Sequence, residues 1–173
     1  MNKNVVAIGG IALLLISAAH AHDGRVYVSG IITDNTCTLS PDSENITVAM
    51  GDVANRQFEH VGEGSAWQGF AIDLQNCGST ASGVTVSFSG TANAHNPGLL
   101  ALIPLENEAS GVGVALYDKD KKPILLGSES DVQPLSSGQH AAHLQFYARY
   151  IADGSTVVPG TANASATFLL SYE

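Results

Sequence analysis

Short segments that alternate apolar and polar residues recur along most of the chain, and this period-two pattern is the strongest constraint on its fold. Phe70, Ile72 and Leu74 share one face of such a segment, Val84, Val86 and Phe88 a second, and Val112, Val114 and Leu116 a third. Ile46, Val48 and Met50 alternate before Gly51, and Leu144, Phe146, Ala148 and Tyr150 alternate near the far end. Ile124 to Leu126 is a short apolar run after the turn residues Asp118 to Lys122. Turn signals separate these segments at short intervals, and past the N-terminal stretch no helix of ordinary length is visible. The polar stretch from Asp52 to Gly69 has room for one helical turn. Leu99 to Leu105, broken by Pro97-Gly98 and Pro104, reads as loop or short edge structure. Many short strands without helices predict an all-β protein, a β-sandwich of immunoglobulin type, with a closed barrel as the alternative. The Cys-Trp-Cys spacing of antibody domains is not matched, because Trp67 precedes the strand that leads to Cys77.

The two ends add an expectation about assembly. Ala164, Ala166, Phe168, Leu170 and Tyr172 share one face of the last strand, with Asn163, Ser165, Thr167, Leu169 and Ser171 on the other. No turn residue and no polar tail follows Tyr172, so the pattern predicts an uncovered sheet edge. Near the other end, Arg25 to Ile32 also alternates. Val26, Val28, Gly30 and Ile32 point one way, and Arg25, Tyr27, Ser29 and Ile31 the other. Such an arm suits an uncovered edge on a neighbour, and together the ends suggest a subunit that polymerises.

Residues 1–21 read as a secretory signal peptide: Lys3 is followed by the apolar run Val5 to Ile16 and the small-x-small site Ala19-His20-Ala21. The mature chain then starts at His22 and fits one domain. The chain has 7 Lys and Arg against 16 Asp and Glu, a net charge of −9 at pH 7. That balance argues against nucleic acid or an anionic membrane as partner, and no second apolar stretch is long enough for membrane insertion. The only cysteines, Cys37 and Cys77, form an even pair in an exported chain and are read as a disulfide. They make a poor zinc site without a nearby histidine pair, and no base accompanies them as catalytic thiols. His140 and His143 read as surface residues where a loop enters a strand. Asp118, Asp120 and Asp131 read as solvated turn residues. No nucleophile motif, metal site or cofactor site is nominated, so the chain is not read as an enzyme.

A set of segments then resembles a known family. Phe70-Ala-Ile-Asp-Leu-Gln-Asn-Cys77, Val84 to Gly90, Gly111 to Asp118, Leu144 to Tyr150 and the last strand look like the type 1 fimbrial subunits of the chaperone–usher pathway. The likeness covers essentially all of the mature chain, in the family's order. Gly160 matches the family's glycine near the start of the last strand, and Tyr172 its penultimate tyrosine.

The resemblance implies an incomplete immunoglobulin-like β-sandwich lacking its last strand. It implies a periplasmic chaperone that lends a strand, an outer-membrane usher, and neighbouring fimbrial subunits joined by donor-strand exchange in a fimbrium on the bacterial surface. Residues 22–33 would be the donor arm, with Val26, Val28, Gly30 and Ile32 facing the acceptor, and residues 34–173 the pilin domain. Gly160, Phe168, Leu170, Tyr172 and Glu173 would form the acceptor groove and chaperone contact, above core residues such as Phe70, Ile72, Leu144 and Phe146. The short stretch before Gly30 looks closer to minor tip adaptors than to long-armed rod subunits. A rod subunit or a terminator of the same fimbria is the alternative. A small glycan-binding lectin using Trp67, Tyr117 or Tyr147 is the alternative of a different class.

Overall fold

A computed structural model describes residues 26–32, 34–136 and 138–173. The expected signal peptide, the expected first arm residues 22–25, and Thr33 lie outside these residues. The chain separates into a unit ending at Ile32 and a compact unit that runs to Glu173.

The compact unit is all-β. A five-stranded antiparallel sheet contains β1 (Thr38–Leu39), β2 (Gln68–Gln75), β4 (Val112–Tyr117), β5 (Pro123–Ile124) and β7 (Ala141–Ala152), in the order β1-β2-β7-β4-β5. The second sheet contains β3 (Gly83–Ser89), β6 (Gln133–Pro134) and β8 (Thr167–Tyr172), in the order β6-β3-β8. Two short 3-10 turns, Pro41–Ser43 and Asn55–Phe58, are the helical elements among the described residues. The second is the turn expected between Asp52 and Gly69. Leu100 makes isolated bridges to Ala92 and Val114, the short edge structure expected there.

The pairing register explains why the alternation works. Phe70 lies opposite Phe146, Ile72 opposite Leu144 and Leu74 opposite Ala142, so each apolar face of β2 meets the apolar face of β7. Val84, Val86 and Phe88 lie opposite Tyr172, Leu170 and Phe168. A slip of one residue would turn every one of these side chains toward solvent. The two inner faces bury Ile72, Val84, Val86 and Phe146 completely. Phe146 is held by two rings: it stacks on Phe70 at 5.7 Å, meets Phe88 edge-on at 5.4 Å, and so ties the two sheets together.

Cys37 and Cys77 form a disulfide across a sequence separation of 40, which joins the strand entering the domain to the end of β2. Replacing both with serine should cost about 4 kcal/mol by the loop-entropy account, readable as a lower urea midpoint under oxidising conditions. An unchanged midpoint would show that the unfolded chain is not constrained by this link.

Two segments with strand-like alternation are not paired strands. Residues 26–32 are in no strand, and Val26, Tyr27, Val28, Ile31 and Ile32 are at least 85% exposed. Ile46, Val48 and Met50 keep their alternation, half-buried between exposed neighbours, but belong to no ladder. In both cases the alternation is present without a ladder partner among the described residues.

Candidate functional site

An elongated groove of about 1440 Å³ opens between the two sheets on one side of the sandwich. That is larger than the few hundred to roughly 1,000 Å³ of an ordinary small-molecule pocket. One wall is the stretch carrying Ile46, Val48, Met50 and Val53, with Phe58 from the second 3-10 turn also lining the groove. The other wall is the approach to β8, with Ala162, Ala164, Ala166 and Phe168. Phe70, Phe88, Val114 and Tyr150 line its floor. The Tyr150 hydroxyl donates to the main-chain oxygen of Ala162 and anchors that wall to the floor. Burial raises the Tyr150 phenol above its ordinary pKa, so it remains a donor at neutral pH.

Both walls have backbone to offer. Among the described residues no hydrogen bond involves residues 45–53, so a run of backbone lies there with amides and carbonyls to offer. On the opposite side β8 is a sheet edge. Glu173 donates its amide to Gly83 at 3.0 Å, while the carbonyls of Val86 and Phe88 accept from Ser130 and Gly127 on the far side of β3. In an antiparallel ladder the direction alternates. Phe168, Leu170 and Tyr172 therefore turn their own amides and carbonyls to the open edge. The side chains of these same residues face inward and pack against the core. Each of them can present a side chain to the interior and hydrogen bonds to an incoming strand.

The expected groove residues fall into two groups. Gly160 and Phe168 line the groove. Leu170, Tyr172 and Glu173 lie along the same edge beyond the groove's end. The Tyr172 hydroxyl donates to the main-chain oxygen of Cys37 at 3.2 Å, closing that end of the sandwich beside the disulfide. The main-chain oxygen of Glu173 accepts from the amide of Ser82 at 3.2 Å and from its hydroxyl at 2.9 Å. Of the expected floor, Phe70 lines the groove, whereas Ile72, Leu144 and Phe146 are sealed in the core beside it. The alternation of residues 46–50 is legible in the sequence, but its place as a wall is not. The signal was its lone apolar face beside a polar stretch with no hairpin partner.

Gly160 has a steric reason. A Cβ there would lie 2.5 Å from the main-chain oxygen of Asn107 and 2.6 Å from the amide of Ala109. Thr161 exchanges hydrogen bonds with this same backbone, donating to Asn107 and accepting from Ala109, both at 2.9 Å. Glycine lets the groove wall lie flush against residues 107–109. Gly160→Ala should destabilise the domain by about 1–3 kcal/mol, measured by urea unfolding, because backbone rather than a flexible side chain must move. A neutral effect would mean the wall yields freely.

Gly30 differs: a Cβ there meets nothing within 4 Å. Nothing in the arm itself requires glycine at this position.

A profile of the fimbrial protein family matches residues 26–173. The chain belongs to the fimbrial protein family. It is 36% identical over 176 residues to the "Probable major fimbrial subunit LpfA" of Escherichia coli O157:H7, covering 100% of this chain and 98% of that one. The crystal structure of the Burkholderia pseudomallei antigen and type I fimbria protein BPSL1626 superposes with a TM-score of 0.61 at 35% identity, over 81% of this chain and 91% of that chain. The P pilus rod subunit PapA, at 23% identity, shares the fold with a TM-score of 0.66, over 79% of this chain and 99% of that chain. The protein is a fimbrial subunit with an immunoglobulin-like all-β fold of the kind seen in chaperone–usher pilins. In this family setting the open groove and the exposed arm are the features to explain.

Proposed function

We propose that this fimbrial subunit polymerises by donor-strand exchange: its groove takes the arm of one neighbour, and its own arm enters the groove of another. The observation that carries this reading is the pairing of two unbonded walls, residues 45–53 and the edge of β8, with an apolar arm at least 85% exposed at its large side chains. Lengths agree. An extended strand rises about 3.3 Å per residue, so residues 26–32 span roughly 23 Å and the wall of residues 45–53 roughly 30 Å. An inserted strand would pair with both walls by β-augmentation, while Val26, Val28 and Ile32 fill the floor between them and Gly30 lets the backbone run close to the acceptor. Burying three such side chains contributes roughly 5–9 kcal/mol.

Before assembly the same edge is the surface a periplasmic chaperone would cover, with Leu170, Tyr172 and Glu173 at its end. An outer-membrane usher would exchange that cover for the next arm, placing the subunit in a surface fimbrium that supports adhesion. The short stretch ahead of Gly30 favours a minor, adaptor position. The likeness to LpfA favours the second reading, a major rod subunit. Quantitative copy number separates them: one per fibre supports the adaptor, hundreds support the rod.

The exchange is tested by cross-linking. Fibres assembled from chains carrying Val28→Cys together with Ala164→Cys should run as a ladder of covalent oligomers under oxidation and collapse to monomer on reduction. Fibres that form normally without any ladder would contradict the proposed joint.

A further inference from the structure

The outer face of the five-stranded sheet, turned away from the groove, gathers three aromatic residues from separate elements. Trp67 precedes β2, Tyr117 ends β4, and Tyr147 lies on β7. Trp67 meets Tyr117 edge-on at 4.6 Å and Tyr147 at 6.2 Å. Two cations join them. The Lys121 ammonium lies 5.1 Å from the centre of the Trp67 ring and 5.6 Å from that of Tyr147. The Arg149 guanidinium lies 4.7 Å from the centre of the Trp67 ring. All three distances are within cation–π range.

Two independent irregularities converge on this cluster. Lys121 has a φ of +61°, at the hairpin position where glycine or asparagine is the unstrained choice. The other non-glycine residues with positive φ among those described are asparagines, Asn76 and Asn107. The turn that holds Lys121 there is firm: the Asp118 carboxylate accepts from the amides of Asp120 and Lys122 at 2.9 and 2.8 Å. Arg149 is irregular in another way, since its Nε is buried with no hydrogen-bond acceptor. Its guanidinium lies against Gly64, where a Cβ would lie 2.5 Å from Nη2. Strain and an unpaired buried polar atom are costs that concentrate where a structure serves a ligand.

The charges complete the pattern. Lys119 pairs with Asp120 and Lys122 with Asp131. Among the described residues Lys121 and Arg149 have no carboxylate partner, although the chain as a whole carries −9. We propose that Trp67, Tyr117, Tyr147, Lys121 and Arg149 form a binding site for a carboxylate-bearing sugar. The half-exposed aromatic rings offer apolar contact to the C–H groups of a pyranose, and the two unneutralised cations favour its carboxylate. One acidic group on a largely neutral sugar suits a strongly acidic protein, which repels a polyanion such as nucleic acid. Because the cluster faces away from the groove, the site is independent of the joint between subunits.

Trp67 is the sole tryptophan, so its indole N–H resonance in the nitrogen-labelled mature chain reports on the site alone. Sialyllactose should shift this resonance saturably, with lactose and acetate each at least tenfold weaker. Lys121→Asn should weaken sialyllactose roughly tenfold while raising the melting temperature by roughly 2–4 °C through relief of the backbone strain. Arg149→Gln should weaken binding similarly, with circular dichroism unchanged. No saturable shift, an equal response to lactose or acetate, or full binding by Lys121→Asn would overturn the proposal. So would variants that alter self-association of the chain without altering the sugar response, because the cluster would then be a contact between copies.

Discussion

A chain lacking residues 22–32 should melt at the temperature of the full mature chain and yet fail to enter fibres. The first half of this expectation follows from exposure. Val26, Val28, Ile31 and Ile32 are each at least 90% exposed, so their removal takes no apolar surface out of the domain. The second half follows from what the arm alone can supply: three inward-facing apolar side chains worth roughly 5–9 kcal/mol, and new backbone hydrogen bonds worth about 0.5–1.5 kcal/mol each. Nothing else among the described residues offers an exposed apolar strand of comparable length. Differential scanning calorimetry checks the first half, and immunoblotting of sheared fibres checks the second. Normal incorporation of the shortened chain would show that the joint lies elsewhere.

Phe146→Ala should produce the largest loss of stability from a single substitution. Phe146 is completely buried and contacts the rings of Phe70 and Phe88, one from each sheet. Deleting such a ring typically costs about 3–5 kcal/mol through lost burial and the cavity left behind. For a domain of this size that lowers the melting temperature by roughly 6–20 °C. Phe70→Ala makes the useful contrast. Phe70 is only half-buried, because part of its ring faces the open groove. Its loss should cost the isolated subunit less than the loss of Phe146, while weakening capture of a donor strand. Equal costs in the isolated subunit would mean that the groove floor is not open as described.

Much of this architecture is legible in the residues. The alternation of Phe70, Ile72 and Leu74, of Val84, Val86 and Phe88, and of Leu144 through Tyr150 fixes which faces turn inward, because the side-chain period of a strand is two. Cys37 and Cys77 leave one pairing. Periodicity cannot report whether a strand has a partner. Residues 46–50 and 26–32 carry the same pattern as β2 or β3, yet neither is in a ladder, because pairing depends on backbone elsewhere in the fold or in another chain. The alternation points to a groove around Phe168, Leu170 and Tyr172, whereas the groove's lining runs upstream from Phe168 through Ala166, Ala164 and Ala162. Small side chains leave the space, and their alternation alone does not say that the space stays empty. The role of Gly160 was equally hidden, since only the approach of residues 107–109 shows what a side chain would strike. Trp67, Tyr117 and Tyr147 were visible as aromatics, but their meeting with Lys121 and Arg149 is a product of the β4–β7–β2 pairing.

The central claim is that the groove between residues 45–53 and β8 accepts a strand with the pattern of residues 26–32. The most direct measurement is hydrogen exchange, with a melting curve, on the chain lacking its arm before and after incubation with a peptide of residues 22–32 or the matching arm of another subunit. On binding, the amides of Phe168, Leu170 and Tyr172 and those of the 45–53 wall should become protected together. The melting temperature should rise by roughly 10 °C or more. Protection confined to one wall, or no protection by any donor peptide that carries this alternation, would contradict the account.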